Sequence, residues 1–414
     1  MWAVVFASML VLATGASLIW PALVELPLAM AIGLIFTASV GYNLAAILAL
    51  IGFARDRAER SAMAGEISAP PITILKPVCG DEHALYANLR SYCVQDYPEY
   101  QVIFGVRDVD DPAVAVVQRL LDEFPERDLE LVIDSRVYGA NYKVSNLLNM
   151  YTHAKHDIVL SSDSDVRVGP EFLSVLGSEF DDPGIGAVTC LYTGSPGPGF
   201  ASRFGAAYLT HGFTPSAIVQ ARFGGLKGCF GQAMAFRRDV LEAIGGFGAI
   251  TSRLADDYAL GNRVKNAGYR IRLSSYCVEN VVTERNLRSL FRHEQRWGRT
   301  IYGIAPVGYF FSFVTHSIPI SLIAVCLLLG FGTDVHVAAI LAAGAVGARF
   351  LLYRVVNRVL AVPSATSFLL IPLRECFSLM VWASSLAGRR VRWRGAEFVL
   401  MNDGNLRAVT ESDA

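Results

Sequence analysis

The chain has 414 residues, 53% of them hydrophobic and 18% charged, with a formal net charge of −1 and a mean hydropathy of +0.39. That is too apolar for a wholly soluble protein, and neither the net charge nor any Lys/Arg tract suits a nucleic-acid partner. The seven scattered cysteines form no ligand spacing, so they read as reduced thiols on a cytoplasmic protein rather than a metal centre.

Charge is distributed unevenly, and that organises the chain. Residues 1–53 hold one acid, Glu25, and no Lys or Arg. They predict two spans, about Met1–Leu23 and Leu26–Phe53, each near the ~20 residues that cross a bilayer. Arg55, Arg57 and Arg60 follow at the exit, which the positive-inside rule assigns to the cytoplasm. Ile67–Pro71 reads as a linker. The expected units are 1–54 (membrane spans), 55–300 (a cytoplasmic domain ending in an interfacial amphipathic helix), 301–388 (membrane helices) and 389–414 (tail).

Residues 72–300 alternate strand and helix signals. Apolar runs at 72–75, 101–106, 129–133, 157–160 and 186–192 predict strands. Helical spacing at 113–124 and 143–154 predicts helices between them. The alternation predicts an α/β, Rossmann-like domain with a mostly parallel sheet, and ligands beyond the carboxyl ends of its strands. Farther on, 307–331, 335–353 and 366–388 are candidate spans. Basic clusters at Arg349–Arg358 and 388–395 both ask for the cytoplasm, so one of the three should be re-entrant or interfacial. The stretch 301–320, with Pro306 and Pro319, is the candidate.

Acids stand where the sheet should bind ligands. After the strand at 157–160 comes Ser-Ser-Asp163-Ser-Asp165. Residues i and i+2 of an ideal strand lie ~6.6 Å apart along the chain, so the two carboxylates grip one ion only if the chain turns. Hard oxygens of this kind suit Mg²⁺ or Mn²⁺; a capping Asp beside a solvated one is the plainer alternative. Asp108 directly follows a strand and could accept from a ring N–H or a ribose hydroxyl, whereas Asp110 or Asp111 before Pro112 suits a helix start. Asp256 and Asp257 open a helix. The positive helix end explains one of them, and a second facing the cleft could be a general base.

Cations and a ring complete the set. Lys76 ends the first strand, at the expected nucleotide edge. Lys143, near a helix start, is either a surface lysine or a cation for a donor phosphate. Residues 288–300 (RSLFRHEQRWGRT) form an amphipathic helix, with Arg292 and Arg296 as i,i+4 neighbours. Such a helix can rest on headgroups, or place Arg groups around a diphosphate and Trp297 under a sugar or lipid. His211 is read as a core histidine with an acceptor path as the alternative.

In order, KPVCG (76–80), QDYP (95–98), GVRDVDDPA, GANYKVSNL, SSDSDVRV, LADDYALG and HEQRW make the chain resemble the ceramide glucosyltransferase-like membrane glycosyltransferases of glycosyltransferase family 21, above all the bacterial hopanoid-associated ones. The resemblance covers about residues 70–300. It implies a GT-A catalytic domain inserted between N- and C-terminal transmembrane helices, in a bacterial inner-membrane protein with that domain in the cytoplasm. It also implies a UDP-sugar donor, a divalent metal (Mg²⁺ or Mn²⁺), inversion and a membrane-lipid acceptor.

Carried over by motif, Asp108 would hold uracil or ribose, and Asp165 the metal with Asp163 beside it. Asp257 would be the base. Lys76, Lys143, Asp163 and Arg296 would meet the donor; Asp256, His293 and Trp297 would meet the acceptor. His293 stands where the family signature has Gln or Arg, and two N-terminal spans depart from the family's expected single anchor. The competing readings are a processive cellulose- or hyaluronan-type synthase, which needs more spans, and a non-catalytic cation-binding membrane or transport protein.

Overall fold

A computed structural model describes residues 2–63, 69–80, 84–362, 366–388, 390–393, 396–401 and 405–408. The linker's first residues, 67 and 68, and the end of the tail lie outside the described residues. In place of two N-terminal spans there is one continuous helix, α1 (Trp2–Met63). Hydropathy cannot locate a reversal inside a long apolar run, and Pro21 and Pro27 flank Glu25 without ending the helix. The stretch Glu25–Arg60 of α1 is long and apolar enough to cross a membrane.

The α/β domain follows in chain order: β1 (Ile72–Pro77), α2 (Leu85–Cys93), β2 (Tyr100–Val106), α3 (Ala113–Glu123), β3 (Asp128–Ile133), α4 (Tyr142–Tyr151), β4 (Ile158–Ser162), β5 (Val166–Arg167), α5 (Phe172–Ser178) and β6 (Ile185–Pro196). Next come α6 (Phe200–Tyr208), α7 (Thr214–Val219), β7 (Ala233–Arg237), α8 (Arg238–Ala243), α9 (Asp256–Asn266), β8 (Arg270–Val282) and α10 (Leu287–Ile304). The sheet order is β3-β2-β1-β4-β7-β6-β8-β5. Strands β3, β2, β1 and β4 run parallel, as do β6 and β8; β7 and β5 are antiparallel to their neighbours.

β1, β2 and β4 are buried along their whole length, the reason they read as unbroken apolar runs. From β1 the chain builds outward through β2 and β3, then returns to place β4 on the other side of β1. That reversal is the switch point at which open α/β sheets bind ligands, and the Asp163–Asp165 turn follows β4 there.

The remaining helices are α11 (Pro306–Phe311), α12 (Ser317–Gly330), α13 (Val335–Val359) and α14 (Leu370–Ser385), followed by a small antiparallel sheet of β9 (Arg390–Trp393), β10 (Ala396–Leu400) and β11 (Leu406–Ala408). α13 is also long and apolar enough to span, and Pro306–Thr315 with Ser317–Gly330 form a pair bent by 74°. The bend falls at His316, not at Pro319. Pro319 sits in the first turn of α12, where its missing N–H is not needed. Ala46, Leu50 and Phe53 of α1 pack with Ala217 and Ile218 of α7 and Leu352 and Val356 of α13. This apolar cluster fixes the α/β domain onto the apolar helices. Gly298 lets α10 approach α14 closely; a Cβ there would stand 2.5 Å from the Ser385 hydroxyl.

Candidate active site

Beyond the switch point, four charged side chains from three elements converge. The turn after β4 carries Asp163, α4 carries Lys143, and the first turn of α9 carries Asp256 and Asp257. Lys143 Nζ lies 2.6 Å from Asp163 Oδ1 and 3.4 Å from Asp256 Oδ2. Burial works against the Lys143 ammonium, but Asp163 and Asp256, with Asp257 nearby, more than offset it and hold its pKa above the ordinary lysine value.

Asp257 behaves in the opposite sense. Burial, then Asp256, pushes its carboxyl up to about 7, against the Tyr258 N–H and Lys143, which favour the anion. Its Oδ1 accepts from the Tyr258 N–H at 2.7 Å. Gly231 makes room for it: a Cβ there would lie 3.1 Å from Asp257 Oδ2.

Backbone clasps position these groups. Asn141 caps α4 by accepting from the Val144 N–H at 3.1 Å. Its amide donates to the Arg253 carbonyl at 2.9 Å, and its own N–H donates to the Thr251 carbonyl at 2.8 Å. The start of α4 is thereby tied to the loop that leads into α9, which brings Lys143 to Asp256. The turn after β4 is pinned from below. Ser162 Oγ donates to the Gln232 carbonyl at 2.9 Å, and Asp163 N–H donates to the same oxygen at 3.2 Å.

Lys76 is part of that floor. It is wholly buried, its ammonium donates to the Asp163 carbonyl, and it lies 3.9 Å from the centre of the Tyr92 ring. Lys76 thus lies beneath the Asp163 turn at the end of β1.

Asp163 and Asp165 face different surroundings, because both lie in the turn after β4 and not in the strand itself. Asp165 lines a small pocket, about 130 Å³, with Asn280, Glu284, His293 and Trp297. His293 Nδ1 is paired with Glu284 and its ring centre lies 4.3 Å from that of Trp297. Arg296, part-buried, precedes Trp297 on α10. Asp108 is exposed just past β2, where its Oδ1 accepts from the Asp110 N–H at 3.0 Å. Asp111 accepts from the N–H groups of Ala113 and Gly80, at 2.9 and 2.8 Å, so the helix-start role falls to it.

Trp297 also borders a chamber of about 690 Å³ between the α/β domain and the apolar helices. Tyr258, next to Asp257, lines it, with Phe213, Ile301, Tyr309 and Trp382. Two ion pairs, Arg349–Glu375 and Arg374–Glu294, lie along it. The sequence reading missed both, because each joins residues far apart in the chain.

Among the described residues no three His, Cys, Asp or Glu side chains form a preformed cage. Asp163 and Asp165 are hard oxygen donors of the kind Mg²⁺ or Mn²⁺ takes, and a cation shared with substrate phosphates needs only one or two protein carboxylates.

The profile described as "Glycosyl transferase family 21" matches residues 33–406. "Ceramide glucosyltransferase 3" of Caenorhabditis elegans is 26% identical over 212 residues, which is 50% of this chain and 46% of that protein. An "N-acetylglucosaminyltransferase" of Bradyrhizobium diazoefficiens is 24% identical over 255 residues, 57% of this chain and 50% of that protein. The chain thus spans about half the length of these curated relatives. Among solved structures, a mannosyltransferase from Pyrobaculum calidifontis in complex with GDP-Man and Mn²⁺ aligns with 84% of this chain and 98% of its own, with a TM-score of 0.51 and 17% identity. That likeness supports the GT-A fold.

Proposed function

The chain belongs to glycosyl transferase family 21, and from that premise we propose that it moves glucose or N-acetylglucosamine from a UDP-sugar to a hydroxyl of a membrane lipid, a hopanoid polyol or a ceramide, with inversion. The observation that carries this reading is the position of Asp257. It stands at the start of α9 beside Tyr258, which lines the chamber against the apolar helices. A water-soluble donor reaches the switch point from the sheet side, and a lipid hydroxyl reaches the same base from the chamber.

In the proposed step, the Asp257 carboxylate takes the proton of the acceptor hydroxyl. The acceptor oxygen forms a bond to the anomeric carbon from the face opposite the diphosphate. The bond from that carbon to the diphosphate oxygen breaks, and its electron pair leaves with UDP. A pKa of about 7 suits the base, which is substantially ionised at neutral pH yet basic enough to accept the proton. Lys143 positions Asp163 and Asp256 and limits their repulsion of the Asp257 anion. Asp108 meets uracil or ribose at the rim, Arg296 stabilises the leaving diphosphate, and Trp297 with His293 meets the acceptor. A Mg²⁺ or Mn²⁺ ion on Asp165, with Asp163 beside it, would neutralise charge on the diphosphate.

The protein sits in the bacterial inner membrane with the catalytic domain on the cytoplasmic side, a reading supported by Arg55, Arg57 and Arg60 at the end of the Glu25–Arg60 span. Two candidate spans, three at most among the described residues, favour a single transfer over a polymer channel. The reading is tested by incubating membranes that hold the protein with a panel of UDP-sugars and lipid extract, then identifying products by mass spectrometry. A glycosylated lipid is expected; a growing polysaccharide would contradict it.

A further inference from the structure

α13 is apolar enough to cross a bilayer, yet it carries Arg349 at 3% exposure. A charged residue in such a helix is expensive, and its presence there calls for a partner or a task. Glu375 supplies part of the answer. It pairs with Arg349 Nε and also accepts from the Ile318 N–H at 2.8 Å. Arg349 Nη2 donates to the His211 carbonyl at 2.9 Å. Its Nη1 is buried with no hydrogen-bond partner among the described residues, and the same holds for both ring nitrogens of His211.

His211 is 2% exposed, with its ring 4.9 Å from that of Tyr353. It sits on a π-helical turn, Leu209–Phe213, a local widening of the helix that is frequent at functional sites. Burial, then Arg349, pushes the imidazole down to about 3, so it is neutral and offers one donor and one acceptor. Both residues line the chamber that Tyr258 and Trp297 also line.

Charge decides the kind of ligand. Arg349 is balanced by Glu375, and Arg374 by Glu294. Arg374 is further enclosed by the rings of Phe204, Tyr208 and Phe377, at 4.8–4.9 Å. Around Arg349 and His211 the wall is therefore neutral, with Lys227 an exposed cation elsewhere on the lining, while hydrogen-bonding capacity remains open on Arg349, His211 and Arg374. An anion would upset that balance, and a bare hydrocarbon would leave buried polar groups unmet. A neutral group bearing oxygen satisfies both.

We infer that Arg349 and His211 bind a second oxygen group of the acceptor lipid, a hydroxyl or carbonyl set apart from the reacting hydroxyl, and so select the lipid that is glycosylated. This rests on the lipid-acceptor reading above.

The test uses the full chain in lipid nanodiscs with UDP-glucose and UDP-N-acetylglucosamine. Two acceptors of equal chain length are compared: a primary alcohol, and the same alcohol with a nearby second hydroxyl or amide carbonyl. For each protein the ratio of kcat/KM between the two lipids is measured. The ratio is internal to each preparation, so partial unfolding lowers both rates and leaves it untouched. The unaltered protein should favour the two-oxygen lipid by roughly tenfold or more, the value of one or two hydrogen bonds. His211→Phe, and separately the pair replacement Arg349→Met with Glu375→Leu, should bring the ratio close to one. A ratio near one in the unaltered protein, or a preference that survives in both variants, overturns the inference and leaves lipid glycosylation standing. If neither lipid accepts sugar although UDP-sugar binds, the lipid-acceptor reading fails and takes this inference with it.

Discussion

Lys143 Nζ stands 2.6 Å from Asp163 and 3.4 Å from Asp256, so one ammonium links the turn after β4 to the first turn of α9. Lys143→Met would leave both acids without that cation in a confined space. Removing one partner of a buried ionic set costs about 3 kcal/mol or more. Two readouts are expected to move together. Thermal unfolding occurs at lower temperature, and the rising limb of the kcat/KM–pH profile shifts to higher pH, because Lys143 is among the groups that favour the Asp257 anion. An unchanged limb would separate Lys143 from the base.

As the proposed base, Asp257 should set the pH dependence. Its carboxyl is pushed from the ordinary 3.8 up to about 7, and only the ionised form can take a proton. Activity should therefore rise with pH through about 7 and level off above it. The stability sign is opposite. Between these two pKa values the folded state holds a proton that the unfolded state has released, so stability falls as pH rises across that window. Asp257→Asn removes this term. Its Tm advantage over the unaltered protein should widen from pH 4 to pH 7 and then stay constant, as followed by thermal denaturation in a pH series.

Asp165→Ala is expected to weaken Mn²⁺-dependent UDP binding by about tenfold or more, the scale of one lost charge-assisted contact. Asp163→Ala should give a different pattern, because Asp163 also neutralises Lys143. Calorimetry with UDP and Mn²⁺ distinguishes them, and unchanged metal-dependent affinity in Asp165→Ala would remove it from the metal site.

Lys76→Met tests the floor of the site. The side chain is wholly buried and holds the Asp163 carbonyl. The variant should lose stability, on the order of 2–3 kcal/mol from a buried carbonyl left unmet. The KM for UDP-sugar in its folded fraction should change less than its Tm suggests. A large KM increase at unchanged Tm would return Lys76 to the donor site.

The sheet was legible because β1, β2 and β4 are buried on both faces, and buried strands read as apolar runs bounded by turns. The paired acids opening α9 and the Arg-Trp helix were legible for the same local reason: each is a short pattern on one element. What local pattern cannot carry is pairing between elements. Asn141 as the clasp between α4 and Arg253, Gln232 under the Asp163 turn, and Glu375 opposite Arg349 depend on the folded chain. The KPVCG motif places Lys76 at the end of β1, but its burial beneath the Asp163 turn depends on the folded chain. The N-terminal reversal was misread because apolarity alone does not turn a helix.

The most direct test of the central claim follows radiolabelled UDP-sugar with the full chain in nanodiscs that contain the lipid acceptor. Label should pass from UDP-sugar to lipid in the unaltered protein, while Asp257→Asn should bind UDP-sugar with ordinary affinity and transfer none. Labelled lipid formed by Asp257→Asn at the unaltered rate would contradict the assignment of Asp257 as the base.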